Sequence, residues 1–163
     1  MPYITERWPG GLLTNFSTIR KSIKKMNSID TMKEDGTFDT LSKREKLQIE
    51  RTREKLELNF GSIENMNRIP EAIFVVDINK EHIAVAEANK LGMRSYAMVD
   101  TNTNPKLVNF PIPANDDSTK SISKIMQIIS EAIAEGLSER SKTIEEKAKI
   151  KQEKAKEILN KDN

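Results

Sequence analysis

Residues 72–76 read Ala-Ile-Phe-Val-Val, an unbroken apolar run closed by Asp77. A run without alternation suits a strand buried on both faces of a parallel sheet, not a half-solvated hairpin. Such a strand needs neighbours on both edges and helices on both faces. Residues 95–99 (Ser-Tyr-Ala-Met-Val, ending at Asp100) read as a second strand of this kind. Between them, residues 81–91 carry Ile83, Val85, Ala86 and Ala88 on a helical pattern, and Gly92 suits its end. A loop over 101–105 leads to a short strand over 108–112, limited by Pro111 and Pro113. Asn115, Asp116, Asp117 and Ser118 then introduce a helix with Ile122, Ile125, Ile129 and Ile133 as its stripe. The order is β-α-β-β-α, with at least two parallel strands and right-handed crossovers. Residues 3–5 offer one more short strand. The strands that should flank 72–76 on the amino-terminal side have no counterpart in the sequence. The chain alone is therefore expected to expose an apolar strand edge and a sheet face, which favours aggregation.

Before Pro70 the pattern is different. Thr14 or Asn15 suits the N-cap of a helix running to about Met32, with Phe16, Ile19, Ile23 and Met26 as one apolar stripe. Residues 34–37 (Glu-Asp-Gly-Thr) signal a turn. Ser42 with Glu45 three residues on reads as a capping box. Ile49, Leu56, Ile63 and Met66 follow as a seam, with Thr52 and Asn59 filling the positions between. Two amphipathic helices joined by a short acidic turn predict an antiparallel coiled-coil hairpin. Beyond Glu139 the chain is rich in Lys and Glu, with isolated Ile144, Ile150 and Ile158, and reads as a solvated helix or a disordered tail. The expected organisation is a strand and turn of the α/β domain over 1–13 and the hairpin over 14–68. The rest of the α/β domain follows over 69–138, and the charged tail over 139–163.

Charged residues make up 32% of the 163, yet the net charge is only +2. The sum hides a segregation. Within residues 1–29, Arg7, Arg20, Lys21, Lys24 and Lys25 face a single acid, Glu6, and no acidic residue lies between Arg7 and Asp30. The region 71–135 holds nine acidic and six basic residues. A cluster such as Arg20, Lys21, Lys24 and Lys25 is a footprint for polyanions or a solvated helix face.

Cysteine is absent and His82 is the single histidine, so a disulfide scaffold, a thiolate metal site and any multi-imidazole site are excluded. The absent cysteines fit a reducing, cytoplasmic setting. No apolar run reaches the ~18 residues of a membrane span. Asp77, Asp100 and Asp116 lie at or just past strand ends, where open parallel sheets bind ligands. With the Asn102 amide they offer oxygen donors for a hard cation such as magnesium; as turn and cap residues they need no cation. His82 opens a helix, where a protonated imidazole is disfavoured, and reads as a structural or surface residue. Trp8, Pro9, Gly10 and Gly11 form a stiff-then-flexible turn before the basic helix. No Walker, dinucleotide-binding or nucleophile-elbow pattern is present, and nothing points to catalysis.

Residues 6–19 (Glu-Arg-Trp-Pro-Gly-Gly-Leu-Leu-Thr-Asn-Phe-Ser-Thr-Ile) closely resemble the Arg-Trp-Leu-Gly-Gly-x-Leu-Thr-Asn-Phe stretch of the bacterial small-subunit ribosomal protein S-two family. The resemblance continues through residues 35–38, 61–63, 70–77, 81–84, 87–92, 99–102 and 112–117, in order and without a large gap from residue 2 to about 136. Pro9 stands where the family commonly has Leu. The family is similar to a flavodoxin-like (Rossmann-like) parallel sheet with an inserted helical hairpin. The resemblance implies that this chain is amino-terminally truncated, its sheet incomplete on that side: the family's initial helix, first two strands and intervening helices have no counterpart. It also implies a non-enzymatic, structural role in the small ribosomal subunit. The partners it implies are 16S ribosomal RNA and neighbouring ribosomal proteins, including the large first small-subunit protein that recruits messenger RNA. Under it, no cofactor is required. Arg7 and Trp8 are expected to stack on unpaired bases. Arg20, Lys21, Lys24 and Lys25, with Asn15, are expected to make positioning contacts to RNA. Two other readings compete: a non-ribosomal coiled-coil scaffold, and a magnesium-dependent α/β enzyme using Asp77 and Asp100.

Overall fold

The computed structural model describes residues 1–159, with side chains through residue 143; the last four residues and the side chains of Ile144, Ile150 and Ile158 lie outside the described part. Contacts divide the chain into two units, Met1–Ala114 and the residues from Asn115 onward.

In the first unit, helix α1 (Phe16–Glu34) buries Ile19, Ile23, Met26 and Ile29 on one face. It ends at Asp35 and Gly36, whose φ of 77° is the left-handed conformation that glycine adopts without a Cβ clash. A 3-10 turn, Thr37–Thr40, leads to α2 (Lys43–Phe60). The capping box forms: the Glu45 N–H donates to the Ser42 hydroxyl at 3.4 Å, and the Ser42 N–H donates to the Glu45 carboxylate at 3.0 Å. The Ser42 hydroxyl, which donates to the Glu45 carboxylate at 2.6 Å, and the Ser42 N–H hold that carboxyl below its ordinary pKa. Ser42→Ala is expected to cost about 1 kcal/mol, the usual worth of an N-cap, and urea unfolding will read it. An unchanged midpoint would show the box idle.

The hairpin seam is shorter than the heptad pattern predicts. Ile49, Thr52, Leu56 and Asn59 are half-buried on α2. The helix then stops at Phe60, and a 3-10 turn, Gly61–Ile63, takes over. Ile63 and Met66 are buried beyond the helix, clustered with Leu12, Ile19 and Ile23. Arg53 crosses to α1, its Nε 2.6 Å from the Asp30 carboxylate.

The sheet holds β1 (Ala72–Val75), β2 (Arg94–Val99) and β3 (Phe110–Pro113), all parallel, in the order β1-β2-β3. The fold is thus α/β of the flavodoxin-like kind with an inserted hairpin. Helix α3 (His82–Lys90) covers one face, where Val75, Ile78, Val85, Ala97, Val99 and Val108 share a core. β2 is central and buries Ser95, Ala97, Met98 and Val99. β1 shows the exposed edge and partly uncovered face that the sequence predicts for this chain. It is an edge strand with β2 as its neighbour: Ala72 is exposed, Ile73 and Phe74 are half-buried, and only Val75 is buried. β3 begins at Phe110 rather than 108, because Val108 turns into the core and Asn109 bonds β2: its side-chain oxygen accepts from the Ser95 N–H at 2.9 Å and the Ser95 hydroxyl at 3.1 Å. Residues 3–5 do not form the expected strand. Ile4 packs on the hairpin core instead, and the Tyr3 carbonyl accepts from the Ser62 hydroxyl.

The second unit is dominated by α4 (Thr119–Leu159). The Asn115 side chain accepts from the N–H groups of Asp117 (3.0 Å) and Ser118 (2.7 Å), forming a turn just before it. The helix runs on past Glu139, so the tail is helical to Leu159; Lys and Glu are good helix formers. Among the described residues no helix is long and apolar enough to cross a membrane.

Candidate nucleic-acid interface

On α1 the apolar stripe faces inward, so at 100° per residue Lys21 and Lys24 fall on the opposite side and Lys25 at the margin of the stripe, and all three are exposed. Among the described residues none of them is ion-paired to a carboxylate. Arg7 is also exposed, in the extended segment before the turn. These four cations are available to a polyanion.

Arg20, Asn15 and Trp8 have partners within the protein. Arg20 is half-buried, and its Nη1 donates to the carbonyls of Glu64 (3.3 Å) and Met66 (3.1 Å), clamping the segment after α2 onto α1. Arg20→Met is expected to lower stability by about 1–2 kcal/mol while leaving α1 helical, as read by chemical unfolding and circular dichroism. Equal stability would show the clamp to be idle. Asn15 occupies the N-cap position, but its side-chain oxygen accepts from the Thr18 hydroxyl at 2.9 Å and from no backbone N–H of the helix. Trp8 is half-buried against Leu12, Ile19 and Ile23 on one side and Leu13, Ala88 and Met93 on the other.

A second basic strip escapes a linear reading. Arg44, Arg51 and Lys55 lie at i, i+7 and i+11 of α2, all exposed on one side, with Gln48 between them. In sequence they alternate with Glu50, Glu54 and Glu57, which blurs the charge. Rolled into a helix, they line an open groove with Leu47, Thr52 and Leu56.

The turn ahead of α1 is organised by a residue to which sequence reasoning gave no role, Glu87 of α3. Its buried carboxylate accepts five hydrogen bonds. One oxygen takes the Trp8 indole N–H (3.2 Å) and the Gly11 N–H (2.6 Å). The other takes the N–H groups of Leu13 (2.9 Å) and Thr14 (2.9 Å) and the Thr14 hydroxyl (3.1 Å). Burial alone would raise its pKa, but donors from Thr14, Gly11, Leu13 and Trp8 outweigh it and hold the carboxyl below its ordinary value. Gly11 has φ 87°, and a Cβ there would stand 3.2 Å from the Asn15 Cβ, so glycine is the residue this turn accepts. The available signal was an acid inside an otherwise apolar helical stretch, Ile83 to Ala88.

The candidate cation ligands have turn-forming duties. Asp77 is buried with φ 61°. One of its oxygens accepts from the N–H groups of Asn79 (3.0 Å) and Lys80 (3.1 Å), and the other lies 3.0 Å from Lys80 Nζ. Burial opposes ionisation, but the Lys80 and Asn79 donors prevail and its pKa is lowered. Asp100 accepts from the Thr101 N–H at 2.6 Å. Asp116 is buried at the start of the second unit. Among the described residues no group of three or more His, Cys, Asp or Glu is placed to hold a metal ion. His82 is exposed at the start of α3, its Nδ1 3.1 Å from the Asn79 carbonyl oxygen.

Comparison with known proteins bears on this arrangement. Residues 1–136 match the family model described as ribosomal protein S2. The chain is 64% identical over 140 residues to a small ribosomal subunit protein uS2 of Flavobacterium johnsoniae, covering 86% of this chain and 55% of that one. It is 64% identical over 140 residues to the protein of that name from Parabacteroides distasonis, at 86% and 50% coverage. With the one from Cytophaga hutchinsonii it shares 54% identity over 153 residues, at 94% and 60% coverage. The chain thus spans between about half and three fifths of the length of these relatives. The long match takes in the Trp8 turn, the basic hairpin and the parallel strands together, and the chain belongs to the ribosomal protein S2 family.

Proposed function

We propose that the chain is a structural constituent of the small ribosomal subunit that binds 16S ribosomal RNA through its hairpin. The observation that carries this reading is the solvent face of α1, with Lys21, Lys24 and Lys25 exposed and free of carboxylate partners among the described residues. Lysines so placed neutralise phosphates and displace counterions without reading sequence. Arg7 extends the face towards the turn, and Arg44, Arg51 and Lys55 add the strip on α2. Base stacking by Trp8 is left out of this interface, because its indole N–H and much of its ring have partners within the protein. The role is non-enzymatic and cytoplasmic. Neighbouring ribosomal proteins, including the large messenger-RNA-recruiting one, are the expected protein partners. The relatives' names and the family match support this assignment.

The test is sedimentation of the tagged full chain with purified small subunits, and filter binding to 16S ribosomal RNA across a salt series. Co-sedimentation and an affinity that falls with salt are expected. A chain that sediments apart from small subunits at low salt overturns the reading.

A further inference from the structure

The turn over residues 8–14 stands between two cores. Leu12 enters the hairpin cluster of Ile19, Ile23, Ile63 and Met66. Its neighbour Leu13 enters the cluster of Ala88 and Met93, at the end of α3 and the lead into β2. Trp8 packs against both. Apolar contact is non-directional, so these contacts hold the turn against α3 without fixing its angle. The five donors that converge on the Glu87 carboxylate supply that direction. No slack follows the turn: the Asn15 N–H donates to the Gly11 carbonyl at 2.8 Å, and α1 begins at the next residue.

We propose that Glu87 is the positioning residue of the hairpin: its carboxylate fixes the 8–14 turn on α3 and so sets the direction in which α1 presents Lys21, Lys24 and Lys25. The functional half of this inference rests on the RNA-binding reading above. Glu87 itself is buried and touches no RNA in this scheme. It acts through the turn.

Glu87→Gln keeps the size of the side chain but turns an NH2 group towards N–H donors. Three measurements are made on the full chain: amide exchange at Gly11, Leu13 and Thr14; emission of Trp8, the single tryptophan; and affinity for 16S ribosomal RNA. Exchange at the three amides is expected to rise about tenfold or more, with Ile23 and Met26 inside α1 unchanged. Trp8 emission should move to longer wavelength. Affinity should fall about tenfold although every lysine is intact. Unchanged exchange at the three amides overturns the proposal. So does faster exchange with unchanged affinity, if a Lys21→Glu, Lys24→Glu, Lys25→Glu chain measured alongside does lose affinity. If neither chain loses affinity, the RNA-binding reading itself falls, and the positioning role with it. Thr14→Val deletes one donor hydroxyl and leaves the charge in place. It serves if the glutamine variant does not fold, with the same changes expected in smaller measure, and no change at any of the three amides is equally fatal.

Discussion

The chain carrying Lys21→Glu, Lys24→Glu and Lys25→Glu together will lose a large share of its salt-sensitive affinity for 16S ribosomal RNA while keeping its fold. Each phosphate contact contributes about 0.9 to the slope of log affinity against log salt, so three lost contacts remove about 2.7. Between about 50 and 200 mM salt, the wild-type affinity should therefore fall on the order of 40-fold further than the variant's. The fold survives because the three side chains are exposed, Lys21 and Lys24 opposite the buried stripe and Lys25 at its margin, and break no ion pair among the described residues. Exposed substitutions of this kind usually change stability by no more than about 0.5 kcal/mol. A variant that binds with the wild-type slope would remove α1 from the interface and return weight to a scaffold that pairs the hairpin with another helix. Arg44, Arg51 and Lys55 provide the internal comparison. If they bind the same backbone, reversing them should lower the slope by a similar amount, and the two sets should combine.

How much of this was readable in advance follows from the range of each interaction. The hairpin is local: Phe16, Ile19, Ile23 and Met26 repeat within one helix, and Ser42 and Glu45 cap the next within four residues. Such short-range signals survive in a linear string. The strands were found for the same reason, since 72–76 and 95–99 are apolar runs between turn residues. The neighbours of a strand are not local, which limits such a reading: the apolar run of β1 calls for partners on both edges, the sequence offers none on one side, and β1 pairs with β2 alone at the sheet edge. Arg20 and Trp8 show the same limit at the candidate site. Both carry the side-chain chemistry of an RNA contact. What directs them inward are the carbonyls of Glu64 and Met66 and the carboxylate of Glu87, 44 to 79 residues away. The exposure of Lys21, Lys24 and Lys25 is legible because it follows from their position relative to the apolar stripe. The acids after the strands were ambiguous in sequence. Asp77 takes φ 61° and binds the next turn's N–H groups, which is strand-to-helix work that a short carboxylate does well.

Glu87 also sets how the protein responds to acid. Glu87→Ala should lower the unfolding free energy by about 3–5 kcal/mol, because it strands donors around a buried site and leaves a void. That is a large part of the ~5–15 kcal/mol that holds a domain folded. Acid should remove the part of this stabilisation that depends on the ionised carboxylate. The Glu87 carboxyl, ordinarily near 4.5, is held lower in the folded protein. As pH falls through the ordinary value, the unfolded chain takes up the proton first, so stability decreases with falling pH. The contribution is therefore whole above about pH 4.5–5 and is lost as pH drops below that and through the depressed folded value. Asp77, ordinarily near 3.8 and also lowered, adds a loss of the same sign beginning further into acid. Urea midpoints measured from neutral pH to about pH 3 should stay level and then fall. Glu87→Gln removes the titrating group without removing Asp77. Its chain should start less stable at neutral pH and lose less on acidification, so the two curves converge at low pH. Parallel curves would mean that the five hydrogen bonds at Glu87 make no net contribution to ionised-state stability, and that the turn is held by Leu12, Leu13 and Trp8 alone.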